Sequence, residues 1–329
     1  MLAATIQVPQ QYSSIQAAVN AAAPGDTILV APGTYLENVT IQKSLQLRSR
    51  AGAIVTTIDG GGRGSPVALW GAGAEKITVQ GFTLTGGAWN FESGLGYPNE
   101  RGAGVYIDSV AEATIRNNIV IENHGCVGAG IASFFSSLFL FDNVIRENGP
   151  TESACPASEG IRADGDDNLS PVLVAERNYV IENGGIGVRV RGFKSITVRY
   201  NTITDNGEKP ENLPVGGGLV AEMTGGVIAN NFIARNVAYD SPALVLRNYS
   251  DPAMQFSVTG NSLIDNRSDG LTTSATLAAY RPSTIVFRDN ILVGRSERDM
   301  FQCEGDGVVA SRNFVTNFGS GGHASTCGY

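Results

Sequence analysis

The chain has 329 residues, of which 42% are apolar and 16% charged, and its formal net charge is −8 at pH 7. This acidic balance argues against nucleic acid as a general partner, because a polyanion is repelled. No stretch approaches the roughly 18 consecutive apolar residues of a membrane-spanning helix, so no membrane span is predicted. The 41 glycines and the low content of charged residues favour a turn-rich β protein.

The first part of the chain is predicted to be an N-terminal cap with the first strands, over residues 1–50. Ser13 or Ser14 is placed to N-cap a helix over residues 15–22, which Pro24 and Gly25 end. Strands are predicted over residues 27–30 and 39–47. A stacked repeat needs such a cap because its first coil otherwise exposes an apolar end and an unpaired strand edge.

A motif with two asparagines five positions apart recurs through the rest of the chain, residues 51–329, which we predict to be one continuous domain. The motif reads N-I-V-I-E-N at 118–123, and its copies begin at Gly81, Asn118, Asn143, Asn178, Asn201, Asn231, Asn261, Asn290 and Asn313. Alternating apolar runs flank each anchor, and a third run upstream usually starts with glycine, so three short strands per coil are predicted. We expect the anchor asparagines to adopt the left-handed conformation at tight bends and to stack as a hydrogen-bonded ladder.

This pattern predicts an all-β fold, a parallel β-helix of about nine to ten three-strand coils with a short N-terminal capping helix. Residues 12–41, YSSIQAAVNAAAPGDTILVAPGTYLENVTI, resemble the N-terminal stretch of the right-handed parallel β-helix proteins of the pectin lyase-like superfamily. The resemblance covers nearly the whole chain and implies a right-handed helix. It does not select an activity, because the superfamily contains lyases, hydrolases, esterases, epimerases and non-catalytic binding proteins.

Two activities of that superfamily are disfavoured by missing motifs. Residues 33–37, GTYLE, resemble one pectin methylesterase motif, but the later motifs Q-D-T-L, D-F-I-F-G and L-G-R-P-W are absent, which excludes an esterase. The D-P-H-E signature of mannuronan epimerases is also absent.

The cysteines predict an oxidising compartment. Cys126 and Cys155 follow the second asparagine of successive coils, and Cys303 and Cys327 fall in the last coils. We therefore expect disulfides Cys126–Cys155 and Cys303–Cys327, with free buried thiols as the alternative. The first residues show no signal peptide, so the protein is either cytosolic or has lost a leader, and the cysteines favour a secreted or periplasmic protein.

Period-two alternation identifies the side chains that face outward from the glycine-initiated strands. With Val105, Ile131, Ile161, Val188, Leu219 and Leu244 pointing inward, the next residue and the third point outward. Insertions between strands are expected to form walls on both sides of this face and thereby a groove for a linear polymer. The two outward rows are Tyr106, Ala132, Arg162, Arg189, Val220 and Val245, and then Asp108, Phe134, Asp164, Arg191, Glu222 and Arg247.

The arginines on this face suggest a subsite for an anionic sugar, since arginine binds carboxylates bidentately, although a solvated, salt-bridged sheet face is the alternative. The leading hypothesis is a polysaccharide lyase that cleaves a uronate-containing polymer by β-elimination. Arg162, Arg189 and Arg191 would neutralise the substrate carboxylate, Arg189 would act as the base, and Tyr106 would donate the proton. Arg247 and Asp108 are expected to bind substrate.

Two further hypotheses remain open. A glycoside hydrolase would use Asp164 and Glu222 as its carboxyl pair, and a non-catalytic extracellular β-helix would only bind glycans. Trp89 and Tyr97, in the first long loop, are candidates for stacking on sugar rings, or they pack on the helix flank. The aromatic candidates and the metal candidates are both inferred from short stretches of sequence. An acidic run suggests a Ca²⁺ site, although it also suits a turn; the metal candidates are Asp164, Asp166 and Asp167.

Overall fold

The structure is a computed structural model. It describes residues 3–72, 75–88, 104–150, 158–166, 169–207, 217–238, 242–247, 255–268, 277–280, 284–294, 301–304 and 307–317, with only the backbone at 277–280, 301–304 and 317. The chain divides into two compact units, Met1–Asp164 and Gly165–Tyr329. In the part of the chain that the structure describes, no helix is both long and apolar enough to cross a membrane.

The first unit consists of short strands with one helix and one 3₁₀ turn near its start. In chain order its elements are β1 (Thr5–Val8), α1 (Ile15–Ala21), β2 (Thr27–Val30), β3 (Gly33–Leu36), β4 (Val39–Ile41), β5 (Leu45–Ser49), the 3₁₀ turn (Ala53–Val55), β6 (Thr56–Asp59), β7 (Val67–Trp70), β8 (Lys76–Gln80), β9 (Thr83–Thr85), β10 (Val105–Asp108), β11 (Glu112–Arg116), β12 (Ile119–Ile121), β13 (Ile131–Phe134), β14 (Ser137–Phe141), β15 (Val144–Arg146) and β16 (Glu159–Asp164).

The second unit repeats the same pattern of short strands. Its elements are β17 (Val172–Glu176), β18 (Tyr179–Ile181), β19 (Ile186–Arg191), β20 (Ser195–Arg199), β21 (Thr202–Thr204), β22 (Leu219–Glu222), β23 (Gly226–Ala229), β24 (Phe232–Ala234), β25 (Val237–Ala238), β26 (Leu244–Arg247), β27 (Gln255–Thr259), β28 (Ser262–Ile264), β29 (Arg267–Ser268), β30 (Leu277–Tyr280), β31 (Thr284–Arg288), β32 (Ile291–Gly294), β33 (Phe301–Glu304), β34 (Val308–Ser311) and β35 (Phe314–Asn317).

Successive coils contribute one strand to each of three parallel sheets, which we name A, B and C. In the first unit, sheet A runs β1-β2-β5-β8-β11-β14, sheet B runs β3-β6-β9-β12-β15, and sheet C runs β4-β7-β10-β13-β16. In the second unit, sheet A runs β17-β20-β23-β27-β31-β34, sheet B runs β18-β21-β24-β28-β32-β35, and sheet C runs β19-β22-β26-β30-β33. This connectivity confirms the predicted parallel β-helix in each unit.

The capping helix begins and ends close to the predicted positions. The Ser14 side chain accepts a hydrogen bond from the backbone N–H of Ala17 at 3.1 Å. The Glu37 carboxylate accepts the N–H groups of Ile15 and Gln16, each at 2.9 Å, and so satisfies two more donors of the first helical turn. Glu37 in the esterase-like stretch 33–37 thus has a structural contact in this protein.

The core consists of side chains that stack in register from coil to coil. Ile28, Leu47, Val79 and Ile115 follow one another across sheet A of the first unit, and each is fully buried. Burial of one such side chain contributes roughly 1.5–3 kcal/mol. A single coil has no second layer to cover these residues, so stacking supplies the core.

The buried asparagines form hydrogen-bonded ladders, as predicted. In the second unit each asparagine of the first ladder except the last donates both its backbone N–H (2.8–3.0 Å) and its Nδ2 (2.9–3.1 Å) to Oδ1 of the next asparagine. Its members are Asn178, Asn201, Asn231, Asn261, Asn290 and Asn313. A parallel ladder contains Asn183, Asn206, Asn236 and Asn266. The first unit has the pairs Asn118–Asn143 and Asn123–Asn148.

The left-handed residues are not the ladder asparagines, which corrects our prediction. The residue before each anchor has the positive φ instead, as in Asn117 (53°), Asp142 (57°) and Tyr200 (60°). A ladder asparagine must point its amide inward to reach its neighbours, so the chain reverses one residue earlier.

The motif copy at Gly81 is also out of register by one residue. Gly81 (φ 82°) takes the place of Asn117, and the backbone N–H of Phe82 donates to Oδ1 of Asn118 at 2.9 Å. The glycine therefore matches the left-handed position, and a phenylalanine replaces the ladder asparagine in that coil.

Candidate functional site

The outward rows of sheet C lie where period two places them. In the first unit, Tyr106, Ala132 and Arg162 are in register, and so are Asp108, Phe134 and Asp164. In the second unit, Arg189 pairs with Val220 and Val220 with Val245, while Arg191 pairs with Glu222 and Glu222 with Arg247. Each unit thus carries its own group of charged side chains on this face.

The charged group of the first unit is centred on Arg162. Its Nε donates to Oδ2 of Asp164 at 2.9 Å, and its Nη1 donates to Oε1 of Glu159 at 3.3 Å. Glu159 is buried and also accepts the backbone N–H of Gly128 at 3.0 Å through Oε2. This ion pair therefore joins the start and the end of strand β16.

The environment of Arg162 keeps its guanidinium protonated. Burial, the largest single influence, lowers the pKa of Arg162, but the charges and hydrogen bonds of Glu159 and Asp164 together outweigh it and raise the pKa above the ordinary arginine value. A base must release its proton near neutral pH, so Arg162 is suited to neutralising a carboxylate and not to abstracting a proton.

One oxygen of Asp164 is buried in this group without a hydrogen-bond partner. Oδ2 accepts from Arg162, whereas the buried Oδ1 has no hydrogen-bond partner. A buried acceptor without a donor costs about 1–3 kcal/mol. Such an atom is a candidate for accepting a proton or hydrogen bond from a ligand.

The charged group of the second unit is centred on the buried carboxylate of Glu222. Arg189 donates to Oε2 through Nε (3.1 Å) and Nη2 (2.8 Å), and Arg247 donates to Oε1 through Nη1 at 3.3 Å. Exposed Arg191 lies on the neighbouring strand, opposite Glu222, and its Nη2 is 3.6 Å from Sδ of Met223. Thioether sulfur is a weak acceptor, so this guanidinium remains suited to a stronger one.

The aromatic side chains on sheet C of the first unit pack against one another. The ring centroids of Trp70 and Tyr106 are 4.9 Å apart, and those of Tyr106 and Phe134 are 5.9 Å apart. Tyr106 is only 2% exposed, and its hydroxyl donates to Oδ2 of Asp108 at 2.8 Å. Tyr106 is therefore a buried member of this aromatic group, and the roles of Tyr106 as proton donor and of half-buried Asp108 as substrate ligand stay predictions.

Several predicted residues lie outside the part of the chain that the structure describes, namely Trp89, Tyr97 and Asp167. Among the described residues, no group of three or more His, Cys, Asp or Glu side chains could hold a metal ion. Because the predicted calcium site includes Asp167, it stays a prediction.

Of the four cysteines in the disulfide prediction, the structure describes the bonding of Cys126. Cys126 is disulfide-bonded. The pairings Cys126–Cys155 and Cys303–Cys327 stay predictions, because Cys155 and Cys327 lie outside the described residues and only the backbone of Cys303 is described.

Sequence reasoning missed Glu159, the buried partner of Arg162. It directly precedes the glycine that starts a sheet C run, and the corresponding residue of the next coil is Ile186. Ile186 packs with Val220 and Val245 on the outward side of sheet C. A carboxylate at a position that elsewhere is apolar was the available signal.

Comparison with known proteins identifies the family. The profile described as the right-handed β-helix region matches residues 68–236 and 157–326. The chain belongs to this family. The resemblance to the pectin lyase-like superfamily of right-handed parallel β-helix proteins is thereby confirmed.

Solved structures with this fold include both enzymes and adhesins. PfbA, a surface adhesin of Streptococcus pneumoniae, matches with a TM-score of 0.56 and 15% identity over 95% of this chain and 91% of that one. The A-module of the mannuronan C-5 epimerase AlgE6 of Azotobacter vinelandii matches with a TM-score of 0.52 and 17% identity over 94% and 91%. At these identities the likeness shows the β-helix fold alone.

One curated relative is a cell surface glycoprotein of Methanothermus fervidus. It is 26% identical over 117 residues, which are 35% of this chain and 16% of the glycoprotein. The match therefore spans about a sixth of that protein's length.

Proposed function

We propose that the chain binds a uronate-containing polysaccharide on the outward face of sheet C in the second unit. The observation that carries this proposal is Arg191, an exposed guanidinium whose Nη2 donates to a thioether sulfur at 3.6 Å. A uronate carboxylate is a much stronger, bidentate acceptor for such a group. Arg189 and Arg247 both donate hydrogen bonds to Glu222, which lies opposite Arg191 on the next strand. These bonds fix the surface from which Arg191 extends.

Similar proteins support a carbohydrate ligand and a location outside the cytoplasm. The epimerase module with this fold is named for mannuronan, a polyuronate, PfbA is named as a surface adhesin, and the Methanothermus fervidus relative as a cell surface glycoprotein. The disulfide of Cys126 agrees with an oxidising compartment. We propose that the protein is secreted or periplasmic.

Binding to this surface is tested by calorimetric titration with polygalacturonate. Arg191→Ala should weaken binding roughly tenfold, since a hydrogen bond to a charged group contributes about 1.5–3 kcal/mol and 1.4 kcal/mol is a factor of ten. Arg191→Lys should restore part of the affinity. The matched control is Arg288→Ala, which removes an exposed arginine from sheet A of the same unit. Equal affinities of the wild type and Arg191→Ala would contradict the proposal.

Cleavage by β-elimination is the second candidate function, and the unpartnered Oδ1 of Asp164 favours it. In this scheme Arg162 neutralises the uronate carboxylate, Oδ1 of Asp164 takes the proton from C5, the C4–oxygen bond breaks, and water protonates the leaving oxygen. Asp164 replaces Arg189 as base because Arg189 donates through both Nε and Nη2 to Glu222. Hydrolysis by Asp164 and Glu222 is less favoured, since Glu222 serves as an acceptor for two arginines and not as a proton source.

Elimination is measured as the ultraviolet absorbance of the unsaturated product, with a panel of polyuronates. Asp164→Asn should abolish the signal and leave polygalacturonate binding unchanged. Parallel assays with added Ca²⁺ or with EDTA test the expected metal site at residues 164–167. Absence of an unsaturated product and of new reducing ends on every polyuronate, together with retained binding, would leave binding as the function.

A further inference from the structure

Sheet B of the second unit carries an unusual row of exposed side chains. The first residues of its six strands are in register across the sheet and point outward. We call this row the apolar strip; it consists of Tyr179, Thr202, Phe232, Ser262, Ile291 and Phe314. Val180, Ile203, Ile233, Leu263 and Leu292, one residue later in the first five strands, point into the core and are buried.

The large side chains of the strip are open to solvent. Tyr179 is 54% exposed, Phe232 38%, Ile291 43% and Phe314 60%. An exposed apolar row of this length on a rigid scaffold marks a binding surface. The third residues of the same strands are also uncharged, and each of them is either buried or half-buried.

Two arginine–aspartate pairs lie on the turns beside the strip, and one of these turns also carries the acidic residues Glu182 and Asp265. Arg235 and Asp205 border it on one turn and form a bidentate pair at 2.6 and 2.7 Å. Arg312 and Asp289 border it on the other turn and form a bidentate pair at 2.7 Å. The described side chains of the strip itself bear only rings, methyl groups and hydroxyls. These properties complement a neutral ligand and not a charged one.

The spacing of the rings fits an extended polymer. Tyr179 and Phe232 are separated by one strand, and so are Phe232 and Ile291, which corresponds to about 10 Å at the ~4.8 Å strand spacing. In an extended β-linked glycan each sugar is turned over relative to the last, so the same face recurs at every second sugar. The rings of Tyr179 and Phe232 can stack on that face, and the apolar side chain of Ile291 lies at the next alternate strand. Thr202 and Ser262 lie between them to bond hydroxyls. Phe314 lies on the strand after Ile291, outside this interval.

We propose that the apolar strip binds a neutral, extended β-linked polysaccharide that runs across the strands of sheet B. This site is separate from the arginine surface on sheet C and does not depend on the function proposed there. A protein strand is a poorer fit, because the backbone groups of the inner strands are already paired and strand addition needs a free edge.

The test is calorimetric titration of the full chain with cellohexaose, a neutral β-linked glucose oligomer. Phe232→Ala and Tyr179→Ala should each weaken binding about tenfold, which corresponds to about 1.4 kcal/mol. The double variant should weaken it about a hundredfold, because the effects of separated sites add as free energies. Phe232→Tyr keeps a ring and should keep the affinity. Val227→Ala is the matched control, because it truncates an exposed apolar side chain (39%) on sheet A of the same unit.

Far-ultraviolet circular dichroism checks that each variant is folded. Lack of cellohexaose binding by the wild type would overturn the proposal, and so would equal affinities of the wild type and the double variant. A loss of cellohexaose binding in Arg191→Ala, with none in Phe232→Ala, would also overturn it. Failure of the sheet C proposal is seen separately, in the titrations with polygalacturonate.

Discussion

Replacing Asn231 by alanine should destabilise the second unit strongly, because this side chain lies inside a ladder. Its Oδ1 accepts the backbone N–H and the Nδ2 of Asn201, each at 3.0 Å, and its Nδ2 donates to Oδ1 of Asn261 and to the carbonyl of Val198. Four buried hydrogen bonds are lost, and the N–H of Asn201 loses this acceptor. At about 1 kcal/mol for each bond, the free energy of unfolding should fall by about 4 kcal/mol.

Asn313→Ala is the matched control at the end of the same ladder. This half-buried asparagine accepts two hydrogen bonds from Asn290 and donates one to the carbonyl of Phe287. Water can replace part of what is lost there, so a cost of about 1 kcal/mol is expected.

The assay is urea unfolding followed by far-ultraviolet circular dichroism. Fluorescence is a poor monitor of this change, since Trp70 and Trp89, the two tryptophans, both belong to the first unit. Equal unfolding free energies for Asn231→Ala and Asn313→Ala would refute the argument that burial within the ladder sets the cost.

Three further predictions concern single residues. The N–H groups of Ala4 and Ala23 hold the pKa of Asp26 below its ordinary value. The stabilisation by this carboxylate is therefore present above about pH 4, the unfolded pKa, and is lost as the pH falls through the lower folded pKa. Asp26→Asn should make the melting temperature depend less steeply on pH in this acid range, and an unchanged dependence would contradict the prediction. Gly226→Ala should lower the melting temperature by several degrees, because φ is 141° and a Cβ would meet the carbonyl oxygen of Ile196. A melting temperature equal to that of the wild type would show that the backbone at the start of this strand relaxes. Lys76→Ala should change the unfolding free energy by less than about 1 kcal/mol in denaturant titrations, because both partners of its ion pair are exposed; a larger loss would mean that the pair is not screened.

The fold could be predicted from the sequence because two independent patterns agree. The spacing of the asparagines gives the length of each coil, and the alternation of apolar residues places the strands within it. The outward rows of sheet C followed from the inward ones, since neighbouring strands stay in register. The predicted register of the motif copy at Gly81 was wrong by one residue. This glycine occupies the left-handed position before the ladder, and the phenylalanine that follows it in the ladder position gives no sequence signal. The sequence offered a salt-bridged face as an alternative, but it did not predict that Glu159 pairs with Arg162 or that Glu222 accepts from two arginines. Such pairs depend on rotamers and on the bends at strand starts.

The asparagine ladders also have an electrical direction. In the first ladder of the second unit, the side-chain amides of Asn201, Asn231, Asn261 and Asn290 each accept from the preceding coil and donate to the following one. Aligned amide dipoles add, as they do along an α-helix, and hydrogen bonds in such a chain polarise one another. The carbonyl side of the ladder is therefore its negative pole and the Nδ2 side its positive pole. A coil engineered onto the Asn313 side has to present an acceptor, and a coil that offers a donor there would be repelled.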